Sequence, residues 1–130
     1  HWNDTKKIAK YLLRQHGNVS MSNLQLVNAM REMEKRENYL NGFPRFVELS
    51  GRSPEHLCRT MRLYYGKSPQ QWIIELRLQN AAVLLEHSSM NVSGIAHASG
   101  FCNLSYFRRC FQRQYGIAPL AYRRKLHDCD

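Results

Sequence analysis

The chain has 130 residues, of which 43% are hydrophobic, and a formal net charge of +9 from 19 Lys and Arg residues against 10 Asp and Glu residues. This composition is typical of a globular protein with one domain or two small lobes, and it excludes a disordered chain. The longest apolar run, Ala81–Leu85, is far too short to cross a membrane, and no signal peptide is visible. The basic surplus favours polyanionic partners, nucleic acid before acidic membranes.

The cysteines indicate the redox setting. Cys58, Cys102, Cys110 and Cys129 form no C-x-x-C pair and match no spacing typical of a zinc site or a disulfide framework. We therefore expect reduced thiols, no metal, no cofactor and a cytoplasmic location. The chain begins at His1 and not at Met, so we interpret it as a fragment or a processed chain, with a further domain expected before it.

Helical periodicity dominates the first third of the chain. It predicts an N-terminal helix over residues 3–15, within a segment at residues 1–21 that is expected to be an N-terminal helix and interdomain linker. A second helix is predicted from about residue 22 to residue 36, and residues 37–42 are predicted to form a loop. The inner face of the second helix is assigned to Leu24, Val27, Met30 and Met33.

Start and stop signals then divide the chain into short helices. Residues 44–50 end at Gly51, and Ser53-Pro54 supplies the N-cap and first residue of a helix that stops at Gly66. The longest helix is predicted over about residues 69–87. Its apolar residues form two rows, one of which contains Val83, and two rows indicate more than one packing partner.

The same signals continue to the end of the chain. Asn91 opens a short helix broken by Gly100, Asn103 caps a helix that stops at Gly116, and Pro119 opens a last helix to about residue 125. No segment shows sustained period-two alternation. We therefore predict an all-α protein with one lobe at about residues 22–68, a linker helix at about 69–87 and a second lobe at about 88–126.

An internal repeat organises the two lobes. An offset of 50 residues superposes Arg59 on Arg109 and Gly66 on Gly116. The same offset pairs Leu57 with Phe107, Met61 with Phe111, Tyr65 with Tyr115, Pro69 with Pro119 and Trp72 with Tyr122. Each copy contains a helix, a Gly-containing turn, a capped helix and a Gly stop. This pattern is typical of a helix-turn-helix, whose second helix lies in the major groove of DNA.

The second helix of each copy carries an outer face suited to reading bases. Arg can contact guanine bidentately, Ser and Gln can hydrogen-bond base edges, and Glu can accept from cytosine. Side chains of this kind on the two helices are Glu55, Arg59 and Arg62, then Ser105, Arg108, Arg109 and Gln112. Arg59 and Arg109 are base readers or phosphate anchors, whereas Arg108 and Arg113 are expected to contact the DNA backbone.

The linker helix sets the expected spacing of the two lobes. About 19 residues of helix span ~28 Å, close to the ~34 Å of one DNA turn that separates successive major-groove sites on one face. Two recognition helices on one chain can therefore read an asymmetric site on double-stranded DNA.

These residues resemble the AraC/XylS family of transcription regulators. The matching segments lie at 46–59, 65–72, 77–85, 115–119 and 122–123. The most specific match is Ile95-Ala96-His97-Ala98-Ser99-Gly100-Phe101-Cys102-Asn103-Leu104-Ser105-Tyr106-Phe107-Arg108-Arg109-Cys110-Phe111. The resemblance covers about residues 22–125, and within it residues 38–57 resemble regulators of chitobiose-type sugar operons.

The resemblance implies a bacterial regulator, an activator, a repressor or both, with two DNA-reading lobes. It implies an absent N-terminal domain that binds a small molecule such as a sugar, and contact with RNA polymerase. The implied DNA contacts are Glu55, Cys58, Arg59 and Arg62 in the first lobe and Leu104, Ser105, Arg108 and Arg109 in the second. The family often has a polar residue at the position of Leu104, which is expected here to touch a thymine methyl group.

Two other classes of function are alternatives to DNA binding. An enzyme needs a nucleophile, a base and oxyanion donors in one cleft, and no spacing in the chain suggests a triad or a phosphate-binding Gly-rich loop. We therefore expect no enzymatic activity. The alternative is a basic all-α protein-interaction module without specific DNA binding. Salt distinguishes the two, because DNA affinity falls steeply as salt rises.

Overall fold

The computed structural model describes residues 6–7 and 21–128, and the side chains of residues 6–7 and 23–127. Between residues 21 and 128 every regular element is a helix, which confirms the all-α prediction. The eight helices there are α1 (Met21–Met33), α2 (Arg36–Asn41), α3 (Phe43–Ser50), α4 (Pro54–Tyr65), α5 (Pro69–His87), α6 (Val92–Ala98), α7 (Leu104–Tyr115) and α8 (Pro119–Asp128). Apart from Lys6 and Lys7, the predicted N-terminal helix lies outside the described residues.

The chain divides into two compact units, the first ending at Ile73 and the second beginning at Ile74, so the division falls within α5. In the first unit the ring centroids of Phe46 and Trp72 lie 5.3 Å apart. The fully buried apolar side chains of this unit are Leu26, Met30, Met33, Phe46, Leu57, Met61 and Trp72. Helices α1, α3 and α4 and the first turn of α5 therefore enclose one core.

The second unit has a core rich in aromatic rings. The ring centroids of Phe101 and Phe107 lie 5.1 Å apart, those of Phe107 and Phe111 5.8 Å apart, and Tyr122 meets Phe111 edge-on at 5.3 Å. The aliphatic part comes from α5 and α6, through Leu78, Ala81, Ala82, Leu85, Ile95 and Ala96. Such edge-on and tilted pairs add stabilisation beyond the area they bury.

Local capping chemistry fixes both ends of α4 and α7. The Ser53 hydroxyl accepts from the His56 N–H at 3.1 Å, and the Asn103 side-chain carbonyl accepts from the Tyr106 N–H at 2.8 Å. Both helices end at a glycine with left-handed backbone, at φ +79° for Gly66 and +81° for Gly116. These conformations strain any residue with a Cβ, so the predicted starts and stops of both helices are confirmed.

One segment predicted as a loop is helical. Helix α1 ends at Met33, three residues earlier than predicted, and residues 36–41 form α2 in place of a loop. Asn38 is buried there, and its side chain donates to the Glu32 carbonyl at 2.6 Å and accepts from Arg45 Nε at 2.9 Å. Because these partners lie six and seven residues away, no local periodicity marks the helix.

Two apolar residues lie on solvent-facing sides of their helices. Leu24 was placed on the inner face of α1, but it is 44% exposed and Leu26 is fully buried instead. Val83 was placed in an apolar row of α5, but it is 55% exposed because Leu78 and Leu85, which pack on the core, lie on the opposite side of the helix. Apolar character alone therefore misassigned both positions.

Candidate nucleic-acid interface

Two helix-turn-helix units are built alike, α3 with α4 and α6 with α7. In the first turn Gly51 adopts a left-handed backbone at φ +66°, and the Arg52 N–H donates to the buried Ser50 hydroxyl at 3.2 Å. In the second turn Asn80 donates to the fully buried Ser99 hydroxyl at 3.1 Å. A buried serine thus makes a hydrogen bond at each of the two turns.

Helix α4 divides cleanly into a core side and a solvent side. Leu57, Thr60 and Met61 are buried. Of the residues predicted to contact DNA in the first lobe, Glu55, Arg59 and Arg62 are exposed together on the other side, and Cys58 is half-buried at its edge. The helix therefore presents two arginines and one glutamate to solvent.

Helix α7 shows the same division with a more basic outer side. Phe107, Cys110 and Phe111 are buried. Of the residues predicted for the second lobe, Ser105, Arg108, Arg109 and Arg113 are all exposed, as is Gln112. Leu104 is half-buried and packs against the core of its unit, which leaves only part of its side chain available for a thymine methyl group.

The charges of the two outer sides differ. Helix α7 carries three arginines and no acidic residue, whereas Glu55 offsets one of the two arginines on α4. Since phosphate contacts depend on uncompensated positive charge, α7 is the better suited of the two helices to bind the DNA backbone. Both helices also expose polar side chains of the kinds that hydrogen-bond base edges in protein–DNA complexes.

A cleft of about 290 Å³ flanks α4 in the first unit. It is lined by Asn23, Arg52, His56, Arg59, Thr60, Leu63 and Tyr64. Burial lowers the pKa of Arg52 from its ordinary value, and the nearby Tyr64 partly opposes that effect. The sequence interpretation assigned no role to Arg52, whose place in the Gly51 turn was the available signal.

Tyr106 is a second residue that sequence reasoning passed over. It is 43% exposed on α7, and the Arg109 guanidinium carbon lies 5.9 Å from the centroid of its ring. A hydrogen bond with the Cys110 thiol raises the pKa of the Tyr106 phenol, to which burial adds a further rise. An aromatic residue three positions before an outer-face arginine was the available signal, because such residues are neighbours on a helix.

Two other arginines form hydrogen bonds to backbone carbonyls within the second unit. Arg123 Nε donates to the Leu85 carbonyl at 3.0 Å, and its Nη2 donates to the Ser88 carbonyl at 3.1 Å. These carbonyls lie at the C-terminal end of α5, where the peptide groups have no helical partner and a cation is favoured. Arg77 Nη1 donates to the Gly100 carbonyl at 3.4 Å, in the turn before α7. Arg123 thus supports the fold of this unit.

The described residues can also be compared with the requirements of a disulfide, a metal site and a membrane-spanning helix. Cys58, Cys102 and Cys110 are free thiols there. Within the same residues no three His, Cys, Asp or Glu side chains come together as a metal site would require. No helix in the part of the chain that the structure describes has the length and apolar character needed to span a membrane.

A family model described as a helix-turn-helix domain matches residues 47–125, which is more than half of the chain. The DNA-binding domain of AdpA, solved in complex with a target DNA, superposes with a TM-score of 0.71 and 28% identity over 81% of this chain and 95% of that one. A probable AraC family transcriptional regulator from Rhodopseudomonas palustris gives a TM-score of 0.66 and 26% identity, over 76% of this chain and 97% of that one. The chain belongs to the AraC family.

Curated relatives extend the comparison to longer regulators. The HTH-type transcriptional regulator ExsA of Pseudomonas aeruginosa is 34% identical over 121 residues, which cover 91% of this chain and 41% of ExsA. The HTH-type transcriptional activator RhaS of Mannheimia succiniciproducens is 38% identical over 63 residues, which cover 48% of this chain and 24% of RhaS. The chain therefore spans less than half the length of these relatives, and it is the DNA-binding domain of a bacterial AraC-family transcription regulator.

Proposed function

We propose that the domain reads a specific double-stranded DNA site by placing α4 and α7 in the major groove. The observation that carries this proposal is the outer side of α7, where Ser105, Arg108, Arg109 and Arg113 are exposed with no acidic residue among them. The Asn103 cap fixes where this helix begins. In helix-turn-helix proteins the residues near the start of the second helix contact base edges.

Position along each helix separates base readers from anchors. Ser105 and Arg109 lie one turn apart on the outer side of α7, and Glu55 and Arg59 hold the corresponding places on α4. We assign base contacts to these four residues. Arg113 lies one turn beyond Arg109 and is assigned to a backbone phosphate, because residues farther from the start of the helix diverge from the groove floor. Supporting contacts at the edge of the proposed DNA interface are assigned to Cys58, Arg62, Leu104 and Arg108.

The test compares Arg109→Ala with Arg113→Ala on two duplexes. One duplex carries the sequence selected by the domain from random DNA, and the other is its scrambled counterpart. Arg109→Ala should weaken the selected site by about 1–3 kcal/mol and relax preference at one base pair. Arg113→Ala should weaken both duplexes alike and lower the slope of log affinity against log salt by roughly one unit.

One result would reject the proposal, and another would reject the base contact assigned to Arg109. A wild-type domain that shifts no duplex at low salt would leave the basic protein-interaction module as the better description. Equal losses on both duplexes for Arg109→Ala would make Arg109 a phosphate contact, and specificity would then have to come from Ser105, Arg108 or Glu55. Footprinting adds a geometric check, since two recognition helices should protect two major-groove segments about one turn apart.

The role of the whole regulator is a further proposal. The resemblance of residues 38–57 to regulators of chitobiose-type operons supports control of a carbohydrate-utilisation operon, with a sugar-like effector bound by another domain and with RNA polymerase as partner. A promoter fused to a reporter, in cells with and without the regulator, tests this control. Expression that responds to the regulator but to no added sugar would reject the carbohydrate assignment.

A further inference from the structure

Tyr106 occupies an unusual place on the proposed reading helix. It is one of the few large apolar or aromatic side chains left exposed among the described residues, and it stands between the polar side of α7 and the core. The neighbouring aromatic residues Phe107 and Phe111 are fully buried. Burial in the core therefore accounts for those two rings but not for Tyr106.

The ring of Tyr106 packs against one neighbouring aromatic ring of the core. The ring centroid lies 6.2 Å from that of Phe101, and the two planes are tilted by 52°. The tilted contact with Phe101 restricts the ring of Tyr106, and the face of the ring is open to the side chain that lies over it.

Arg109 is the side chain that lies over this surface. Its guanidinium carbon is 5.9 Å from the ring centroid, within the range at which a cation is attracted to the electron-rich face of an aromatic ring. A long arginine side chain samples many rotamers in water, and restricting them before binding reduces the entropy lost in the complex. The contact with the Tyr106 ring therefore reduces the number of rotamers open to Arg109 before DNA is bound.

We propose that Tyr106 is a positioning residue, which holds the Arg109 guanidinium over its ring in the orientation that reads a base. The proposal rests on the proposed function of Arg109 and adds the residue that aims it. Tyr106 itself makes no base contact in this arrangement. Its effect reaches DNA only through Arg109.

The experiment measures the affinity of the wild type and of single and double variants by fluorescence anisotropy. The two duplexes are the selected site and the same site with the Arg109-dependent base pair replaced. Tyr106→Leu keeps apolar bulk against Phe101 but has no aromatic face, and it should lower the preference for the selected base pair by about two- to fivefold, as loss of an exposed cation–π contact implies. Tyr106→Phe keeps the face and should retain most of the preference.

A double variant tests the route of the effect. In an Arg109→Ala background, Tyr106→Leu should change the base preference no further, because the interaction has already been removed. A further loss there would show that Tyr106 contacts DNA directly, and it would overturn the proposal. Equal preference for the Leu and Phe variants, whether retained or lost, would overturn it as well. Far-UV circular dichroism checks that each variant is folded, and Tyr106→Ala replaces the Leu variant if that one is not.

The controls separate this inference from the proposed function. A wild-type domain with no preference between the duplexes rejects base reading altogether. A second outcome is that the wild type and Tyr106→Leu prefer the selected duplex equally, whereas Arg109→Ala has lost that preference. In that case base reading by Arg109 is supported and the positioning role of Tyr106 is rejected. If Arg109→Ala discriminates like the wild type, Arg109 is not a reader and Tyr106 has nothing to position.

Discussion

Arg123 should contribute to the stability of the second unit through the end of α5. Its Nε and Nη2 donate to the carbonyls of Leu85 and Ser88 at 3.0 and 3.1 Å. A hydrogen bond to a charged group contributes about 1.5–3 kcal/mol, and a cation near the last turn of a helix adds about 0.3–1 kcal/mol. Since Arg123 is half-buried and water can replace part of both bonds, we expect Arg123→Ala to cost about 2 kcal/mol.

The next residue along the chain supplies a matched control. Arg124 is exposed, so Arg124→Ala removes the same charge without removing the two bonds and should change the free energy of unfolding by less than about 0.5 kcal/mol. Urea unfolding followed by far-UV circular dichroism measures both, with an unchanged urea dependence as the sign of an unchanged unfolded state. Arg123→Lys keeps the charge but loses the two-pronged donor, and it should fall between the two. Equal costs for Arg123→Ala and Arg124→Ala would refute the argument.

Two further predictions concern the aromatic core of the second unit. Phe107 is fully buried, so Phe107→Ala should cost about 3–5 kcal/mol of unfolding free energy in the same urea assay, and a cost below about 1 kcal/mol would contradict the packing described above. Burial, with Tyr122 as a smaller cause, raises the pKa of Tyr115 from 10.0 to about 12. Because folding favours the neutral phenol, this stabilisation is complete below about pH 10 and is lost as the pH rises towards 12. Ultraviolet titration should show a late-ionising component that Tyr115→Phe reduces by one phenol; an unchanged titration curve in that variant would contradict the assignment.

Much of the fold from residue 53 onwards was predictable, since its signals are local. Ser53, Asn91 and Asn103 each accept a backbone N–H three residues ahead, so a helix start depends on neighbours in sequence. Gly66 and Gly116 stop their helices because a left-handed backbone suits glycine wherever it occurs. Because the two lobes repeat at an offset of 50 residues, the same signals predicted where helices begin and end in both lobes.

The candidate interface was predictable only in part. The outer sides of α4 and α7 follow from helical spacing, which places Arg59 and Arg109 opposite the buried residues of their helices. Spacing did not separate a fully solvent-facing side chain from one at the core edge, as the half-buried Cys58 and Leu104 show. Helical spacing also gave no role to Tyr106 or to Arg52, because the role of each residue depends on which side chains lie beside it in the folded chain.

Sequence by itself determined the helical class, the repeat, the capped starts and glycine ends of α4 and α7, and the side of each that faces solvent. These features depend on interactions between residues a few positions apart, and the geometry of such interactions is set by the local backbone. Tertiary structure alone decided that residues 36–41 form a helix around Asn38, that Leu24 and Val83 face solvent, and that Arg123 holds the end of α5. Each of these depends on groups brought together by packing; for Arg123 the partners lie 35 and 38 residues away, a separation at which no local pattern specifies a contact.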